Sequence, residues 1–327
     1  MIDVPTLFIL GAGASKPYGF PTGDELRTEI IKGFSADLER LMGSDPVPTT
    51  HHHKERIIES ARIFVDHFKN SPITSIDKYL AFNPNFSRFG KFAIALYIRK
   101  KEKQIRLFED LGDSDPQENW YRLIFNRMTS TLKAPEDFRR FAENKIAFIT
   151  FNYDRSLEYF LYKWFLHTFW ESRDKFRGSL SDYIPFPIIH VYGKVGELSW
   201  EPPYDQDSNY REEPVTFEWV KNLANGIRVI GEKSAEVIGE QIKALIEAKK
   251  RIFFLGFGYA KENLDEIGLP GAIDDKWKIF GTGKGMTKKE MGDVKSVLGK
   301  NYKLGAVLEN WVRIEDRNSY DLLREYL

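Results

Sequence analysis

Cysteine is absent from the 327 residues of this chain. Its absence excludes disulfide bonds, thiol nucleophiles and zinc sites with cysteine ligands. The sequence also lacks any apolar run near the ~20 residues of a membrane-spanning helix, and its first residues lack the charged segment and apolar core of a signal peptide. We therefore expect a soluble, cytoplasmic protein that has no zinc module and does not associate with membranes.

An excess of charge of one sign is also missing, because 48 Lys and Arg residues balance 48 Asp and Glu residues. A nucleic-acid-binding domain usually carries a basic face, so this balance argues against direct nucleic-acid binding. The length allows a sizeable core, in one large α/β domain or in two smaller ones. Aromatic residues make up 14% of the chain, and we assign most of them to that core.

Short apolar segments alternate with longer amphipathic segments along much of the chain. Each short segment is apolar on both faces, which is typical of strands covered by helices on both sides of a sheet. The alternation predicts an α/β fold with a doubly wound, Rossmann-like parallel sheet of about six strands. The candidate strands are Leu7–Leu10, Ile146–Thr150, Ile188–Val191, Ile227–Ile230, Arg251–Leu255 and Trp277–Phe280.

The interval 25–144 contains no convincing strand and carries helical patterns separated by prolines. Since a connection between parallel strands needs only about a dozen residues, we expect a helical insertion subdomain between the first two strands. The run His51-His52-His53 lies in a polar part of this interval. We interpret it as a solvated loop rather than a metal-binding tract.

The first strand ends in the turn Gly11-Ala12-Gly13-Ala14-Ser15. Glycines let a backbone approach a ligand closely, and the free amides of a following helix attract phosphate. Glycine at such turns also serves packing alone, so both interpretations stay open here. A second strand-to-glycine turn, Gly256-Phe257-Gly258, is followed by Asn263. Two glycine turns in one parallel sheet suit a ligand with two ends, such as a dinucleotide.

Polar residues lie at the ends of two other candidate strands. In open α/β folds, ligands bind at the carboxyl ends of the strands. Asn152 and Asp154 come directly after the strand Ile146–Thr150, and His190 lies near the end of the strand Ile188–Val191. We expect Asn152 to position a water or a substrate hydroxyl, and His190 to act as a general base. Two structural alternatives stand beside these roles: Asn152 or Asp154 only caps the following helix, and His190 is a core residue.

These segments, in this order, resemble the sirtuin superfamily. Sirtuins open with a Gly-Ala-Gly-x-Ser turn and a Gly-Ile-Pro loop, similar to the turn at 11–15 and to Gly19-Phe20-Pro21. Their Thr-Gln-Asn-x-Asp segment corresponds to Thr150-Phe151-Asn152-Tyr153-Asp154, and a catalytic His-Gly follows it. The chain is more similar still to bacterial sirtuin-like proteins of antiphage defence, which carry a Phe-Asn-Tyr-Asp segment, a histidine at a strand end and a stretch like Ser75-Ile76-Asp77-Lys78-Tyr79-Leu80.

The chain departs from sirtuins at several positions. Phe151 replaces the glutamine before the catalytic asparagine, Thr22-Gly23-Asp24 lacks the arginine of the family, and His-Gly becomes His190-x-Tyr192-Gly193. Counting back from the glycine puts Tyr192 at the position of the base. We retain His190, because residues two apart on a strand face the same side and because the usual pKa of tyrosine, about 10, suits a base poorly.

The resemblance implies that the chain consumes NAD as a substrate and acts as an NAD glycohydrolase, which yields nicotinamide and ADP-ribose. It implies one NAD-binding domain over 1–327, with the helical insertion 25–144 inside it. The implied catalytic residues are Asn152, His190 and Asp154. The residues expected to bind NAD are Gly11, Ala12, Gly13, Ser15, Pro21, Thr22, Gly256, Gly258 and Asn263.

A free NAD hydrolase is toxic to its host, so the resemblance implies a gated effector of antiphage defence that depletes NAD. We expect a homo-oligomer formed through apolar faces of the inserted helices, and an activating protein encoded in the same operon or derived from a phage. The replaced motif residues also allow a catalytically inactive sensor that binds NAD or ADP-ribose. A protein deacylase or ADP-ribosyltransferase is a further alternative, which the missing zinc module disfavours.

Overall fold

The computed structural model describes residues 1–44, 50–104, 118–175, 184–198, 215–230, 232, 236–269, 271, 277–300 and 311–327. These residues form two compact units. The sheet unit comprises the described parts of 1–18, 106–191 and 234–327, and the helical unit comprises those of 19–105 and 192–233. Because residues 118–144 belong to the sheet unit, this division differs from the predicted boundaries at 25 and 144, and the insertion subdomain stays a prediction.

Helices occupy most of the described residues outside the sheet. One prediction within them is wrong: the exposed run His51-His52-His53 is the first turn of a helix, because the amide of His53 donates to the carbonyl of Thr50 at 3.0 Å. Within the described ranges, no helix combines the length and the apolar character that a membrane crossing requires. The helices are α1 (Ala12–Ser15), α2 (Gly23–Ser44), α3 (His51–Asn70), α4 (Ile76–Phe82), α5 (Ser87–Gln104), α6 (Trp120–Thr129), α7 (Ser156–Thr168), α8 (Phe217–Ala224), α9 (Glu236–Glu247), α10 (Lys261–Glu266), α11 (Lys288–Leu298) and α12 (Ser319–Tyr326).

The sheet unit is built on a parallel sheet of six strands. Every residue of the first two strands in the chain is buried, as expected for strands that are apolar on both faces and covered on both. The strands are β1 (Thr6–Leu10), β2 (Ile146–Thr150), β3 (Ile188–His190), β4 (Arg251–Leu255), β5 (Lys278–Thr282) and β6 (Val312–Glu315).

A row of phenylalanines fixes the register at the centre of the sheet. Phe8 of β1 lies opposite Phe148 of β2 on one side and Phe253 of β4 on the other. The rings stack with centroid distances of 5.1 and 5.6 Å, and Phe253 stacks in turn on Phe280 of β5 at 5.0 Å. Each such pair contributes about 0.5–1.5 kcal/mol beyond the burial of its area, and a one-residue slip of any strand would move its ring to the other face.

The strand order across the sheet is β3-β2-β1-β4-β5-β6. This is the order of the doubly wound Rossmann fold, in which the connections reverse direction between two central strands. The structure therefore confirms the predicted α/β class and Rossmann-like parallel sheet. The reversal lies between β1 and β4, and ligands of open α/β sheets bind in the crevice outside the carboxyl ends of the strands at that point.

One predicted strand is wrong and one strand was missed. Ile227–Ile230 is not part of the sheet: Ile227 forms only an isolated antiparallel bridge with Gly193, and the segment follows the last turn of α8. The sixth strand is instead β6, which lies at the edge of the sheet and alternates between buried and half-buried residues. Since the prediction searched for segments apolar on both faces, it could not find an edge strand that carries Arg313 and Glu315.

The turns after β1 and β4 contact each other backbone to backbone. The amide of Gly11 donates to the carbonyl of Leu255 at 3.0 Å, and the amide of Gly13 donates to the carbonyl of Gly256 at 3.0 Å. A Cβ at Gly11 would lie 2.5 Å from the Gly256 carbonyl oxygen, and one at Gly256 would lie 2.0 Å from the amide nitrogen of Ala14. Gly256 also has a φ of 54°. These glycines are therefore required for packing of the adjacent strand ends, and their role in binding a ligand stays a prediction.

Gly256→Ala is expected to lower the free energy of unfolding by at least about 1–3 kcal/mol, because it forces a side chain into a left-handed backbone and against the β1 turn. Gly258→Ala is the matched control. Gly258 is exposed, and no heavy atom lies within 4 Å of a Cβ built on it, so we expect a change within about 0.5 kcal/mol. Urea unfolding of both variants measures the difference, and equal stability of the two would contradict this account of the turn.

Candidate functional site

Three polar residues that are distant in the chain meet at the carboxyl ends of the neighbouring strands β1, β2 and β3. Asn152 follows β2, and its Nδ2 donates to Oγ of Ser15, at the end of α1, at 2.9 Å. His190 is the last residue of β3, and its Nδ1 lies 2.9 Å from the backbone carbonyl oxygen of Asn152. Asn152, Ser15 and His190 are all buried. The sequence predicted that these residues would lie together, and the geometry brings them together.

One polar atom of the Asn152 carboxamide has no hydrogen-bond partner among the described residues. This atom is Oδ1, and it is buried. Reversing the amide would only transfer the unpaired position to the nitrogen, since the other atom faces Ser15. A buried polar atom without a partner costs about 1–3 kcal/mol. The site therefore carries an unused hydrogen-bonding group at the sheet edge where ligands bind.

Asp154 lies at the start of α7. Its Oδ1 accepts hydrogen bonds from the amide of Ser156, at 3.0 Å, and from the Ser156 hydroxyl. Burial raises the pKa of Asp154 above its usual value, and the hydrogen bonds from Ser156 and Ser15 oppose that shift. The side chain of Asp154 thus accepts from the first amide of α7, whose N-cap residue is Arg155, whereas the side chain of Asn152 contacts Ser15. A catalytic role for Asp154 stays a prediction.

The second ring nitrogen of His190 contacts a carboxylate. Its Nε2 lies 2.7 Å from Oε1 of Glu158, which also accepts from Nε of Arg155 at 2.8 Å. The side chains of His190, Glu158 and Arg155 are only 6%, 13% and 1% exposed. Although burial opposes it, the charges of Arg155 and His190 hold the pKa of Glu158 well below its usual value. Glu158 is therefore ionised, and it forms a buried ion pair with Arg155.

Both ring nitrogens of His190 contact oxygen atoms. A backbone carbonyl and an ionised carboxylate can only accept hydrogen bonds. Because Nδ1 faces the first and Nε2 the second, hydrogen-bond acceptors engage both ring nitrogens. The role of His190 as a general base stays a prediction, and its two contacts link the β2 loop to α7.

Tyr192, the alternative base, does not share a strand face with His190. Strand β3 ends at His190, so the alternation of side chains that favoured one residue over the other does not extend to position 192. Tyr192 is buried, and its carbonyl accepts from the amide of Arg228 at 2.8 Å, within the helical unit.

Two residues that the sequence did not single out belong to the same cluster. The hydroxyl of Tyr121, in α6, lies 2.7 Å from Oγ of Ser156 and also interacts with Ser15. Burial and the charge of Asp154 raise its pKa. Tyr121 follows an apolar helical pattern and carries no signal of this role. Glu158 does carry one, because it is a carboxylate in the first turn of an otherwise apolar helix.

The residues predicted to bind NAD are divided between the sheet unit and the helical unit. Gly11 and Gly13 use their amides on carbonyls of the β4 turn, Gly258 is exposed, and Asn263 lies half-buried in α10. Thr22 belongs to the helical unit and caps α2: its amide donates to Glu25 Oε2 at 2.9 Å. Their roles toward NAD stay predictions, as do those of the remaining members Ala12, Pro21 and Gly256.

Metal-binding chemistry has no counterpart in the part of the chain that the structure describes. Among those residues, no three His, Asp or Glu side chains lie close enough to hold a metal ion together. The run His51-His52-His53 is exposed on α3. The cluster around Asn152, whose buried Oδ1 has no partner among the described residues, is the candidate functional site.

Glu158→Gln is expected to lower the free energy of unfolding near pH 5 by about 3–5 kcal/mol, because it leaves the buried Arg155 without its counter-charge. The pKa of Glu158 is lower in the folded protein than the usual value of about 4.3, so its ionisation stabilises the fold above that pH and the stabilisation is lost as the pH falls through the folded value.

The loss caused by Glu158→Gln should consequently be smaller near pH 3.5 than near pH 5, by about 1 kcal/mol. Urea unfolding at the two pH values measures it. Glu240→Gln, on an exposed face of α9, is the control and should change the stability by less than about 0.5 kcal/mol at either pH. A loss that is the same at both pH values would show that Glu158 is not ionised as described.

Comparison with models of known protein families finds no match to this chain, and comparison with curated proteins finds none either. The resemblance to sirtuins therefore depends on the quoted sequence segments alone. The functional conclusion that follows depends on those segments and on the chemistry of the cluster around Asn152.

Proposed function

We propose that this protein is an NAD glycohydrolase, which hydrolyses the bond between nicotinamide and ribose. Water adds to the ribose carbon, nicotinamide leaves with the electrons of the broken bond, and ADP-ribose and a proton are the other products. The observation that carries the proposal is the buried Oδ1 of Asn152, which has no partner among the described residues. A ribose hydroxyl or the attacking water is the kind of group that would satisfy it.

The topology supports a dinucleotide as the ligand. The strand order is that of the Rossmann fold, and the two glycine turns meet where that order reverses. Gly258 is exposed beside this point with open space where a Cβ would be. A backbone that is free of side chains there allows close approach by a diphosphate.

The chemistry that we propose assigns distinct roles to the buried polar groups. Asn152 orients the water or the ribose hydroxyl through its carboxamide. The carboxylate of Asp154 favours the positive charge that develops on the ribose as nicotinamide departs. His190, held by its contacts with the carbonyl of Asn152 and with Glu158, keeps the loop of Asn152 in place. The proton of the attacking water leaves to solvent or to Asp154.

Gating and assembly complete the proposal. Since unrestrained hydrolysis of NAD would kill the cell that makes the protein, we propose a cytoplasmic effector of antiphage defence that an operon-encoded or phage-derived protein activates. A homo-oligomer is the proposed active form. Neither zinc, a membrane nor nucleic acid has a role in it.

One observation favours a second candidate, a sensor that binds NAD or ADP-ribose without cleaving NAD. Both ring nitrogens of His190 are engaged, so the cluster offers no imidazole base. An enzyme of this type must then do without one, whereas a sensor needs none. Binding of NAD with no release of nicotinamide, under activating conditions, would support the sensor.

The deciding experiment measures nicotinamide release from NAD by the purified protein, alone and with extract of phage-infected cells as a source of activator. We expect release by the wild type and a loss of about 10²–10³-fold in Asn152→Ala, because one oriented hydrogen-bonding group is removed. Asn126→Ala, on an exposed position of α6, is the matched control and should retain full activity. The hypothesis is wrong if the wild type releases no nicotinamide in either condition or if Asn152→Ala is as active as the control.

A further inference from the structure

We propose that Glu158 is a positioning residue, which holds His190 as a protonated imidazole and thereby fixes the peptide of Asn152 at the candidate site. The catalytic consequence of this inference rests on the proposed NAD hydrolysis. Its structural part, the protonated and anchored imidazole, does not. Nothing in the sequence resemblance assigns a role to position 158.

The contacts form a continuous chain from the helix to the site. Arg155 Nε donates to Glu158 Oε1 at 2.8 Å, Glu158 Oε1 accepts from His190 Nε2 at 2.7 Å, and His190 Nδ1 donates to the carbonyl of Asn152 at 2.9 Å. The opposite side of the same residue is also held, since the amide of Asn152 donates to Thr150 Oγ1 at 3.0 Å. The backbone of Asn152 is therefore clamped at both its N–H and its C=O.

The charges around the ring explain why the clamp needs Glu158. The groups that face the imidazole are the carboxylate of Glu158, the guanidinium of Arg155 beyond it and the carbonyl of Asn152. Burial raises the pKa of the neighbouring Asp154, and the charge of Glu158 raises it further. Without a negative charge at position 158, a second proton on the ring would face the cation of Arg155 with nothing to offset it.

Glu158→Gln separates the contact from the charge. Its amide nitrogen can donate to the unprotonated Nε2 of a neutral imidazole. Because Arg155 contacts the same Oε1 position in the wild type, this orientation takes the acceptor away from Arg155. The variant therefore keeps the size of the side chain and loses the negative charge that holds the imidazolium and Arg155. If His190 were a core residue that only fills space, this change would leave both the ring and the site unaffected.

A nuclear magnetic resonance experiment reads the protonation directly. Of the six histidines, His190 is buried and the other five are exposed, so only its ring protons should be protected from rapid exchange. In ¹⁵N-histidine-labelled wild type near pH 7 we expect one imidazole with two protected N–H signals. In Glu158→Gln we expect one protected N–H, at Nδ1. A single protected N–H in the wild type would overturn the inference, whether or not the protein hydrolyses NAD.

Kinetics with NAD tests the positioning role. We expect Glu158→Gln to lower kcat by about 10–100-fold with KM changed by less than about twofold, because a displaced Asn152 affects the reacting geometry more than substrate binding. Glu240→Gln should match the wild type. Should Glu158→Gln fail to fold, His190→Gln, which can donate to only one of the two acceptors, should show the same loss of kcat.

The outcomes separate the two proposals. A wild type that releases no nicotinamide defeats the proposed function, and the histidine spectrum still decides whether Glu158 holds a protonated ring. An active wild type with an equally active, folded Glu158→Gln refutes the positioning role and leaves NAD hydrolysis standing.

Discussion

The structure depends on the close approach of two backbone turns, one after β1 and one after β4. Gly11 and Gly13 donate to carbonyls of the second turn, and Gly256 adopts a left-handed conformation against the first. No residue with a Cβ fits at these contacts without displacing backbone atoms. This constraint joins the two halves of the sheet where the strand order reverses. It also determines where α1 begins, and thereby where Ser15 meets the loop of Asn152.

The same contact changes how the glycine-rich turn is interpreted. A Gly-x-Gly turn after a first strand suggests amides that are free to bind phosphate, yet the amides of Gly11 and Gly13 are both used within the fold. The functional groups of the turn lie further along, at Ser15, which Asn152 contacts directly. The glycines affect the site indirectly, because they let the strands approach closely enough for the side chains of Ser15 and Asn152 to come into contact.

Structural features that depend on a local sequence pattern could be predicted from the sequence. Features that depend on contacts between distant residues could not. Strands β1, β2 and β4 are apolar on both faces and were predicted within one residue of their bounds. Strand β6 was missed because an edge strand carries charges, and Ile227–Ile230 was misassigned because an apolar run can also form an irregular turn. Asn152 and His190 were predicted to be site residues because each lies at or just after the end of a strand. The contact between His190 and Glu158 could not be predicted, because Glu158 lies 32 residues away on α7.

Burying charged groups around Asn152 does not favour the stability of the fold, but it orients polar groups of the candidate site. Arg155 and Glu158 are almost fully buried, and replacing a buried ion pair with packed apolar residues is often neutral or stabilising. Stability alone therefore does not account for two ionised groups in the first turn of α7. An ion pair fixes the orientation of its groups, which an apolar contact does not do. Arg155 holds the carboxylate of Glu158, and this carboxylate holds the ring of His190. The ring in turn holds the backbone carbonyl of Asn152. Since the residue so held is the one with an unsatisfied buried oxygen, the energy spent on burying these charges is best understood as orienting that oxygen before a ligand arrives.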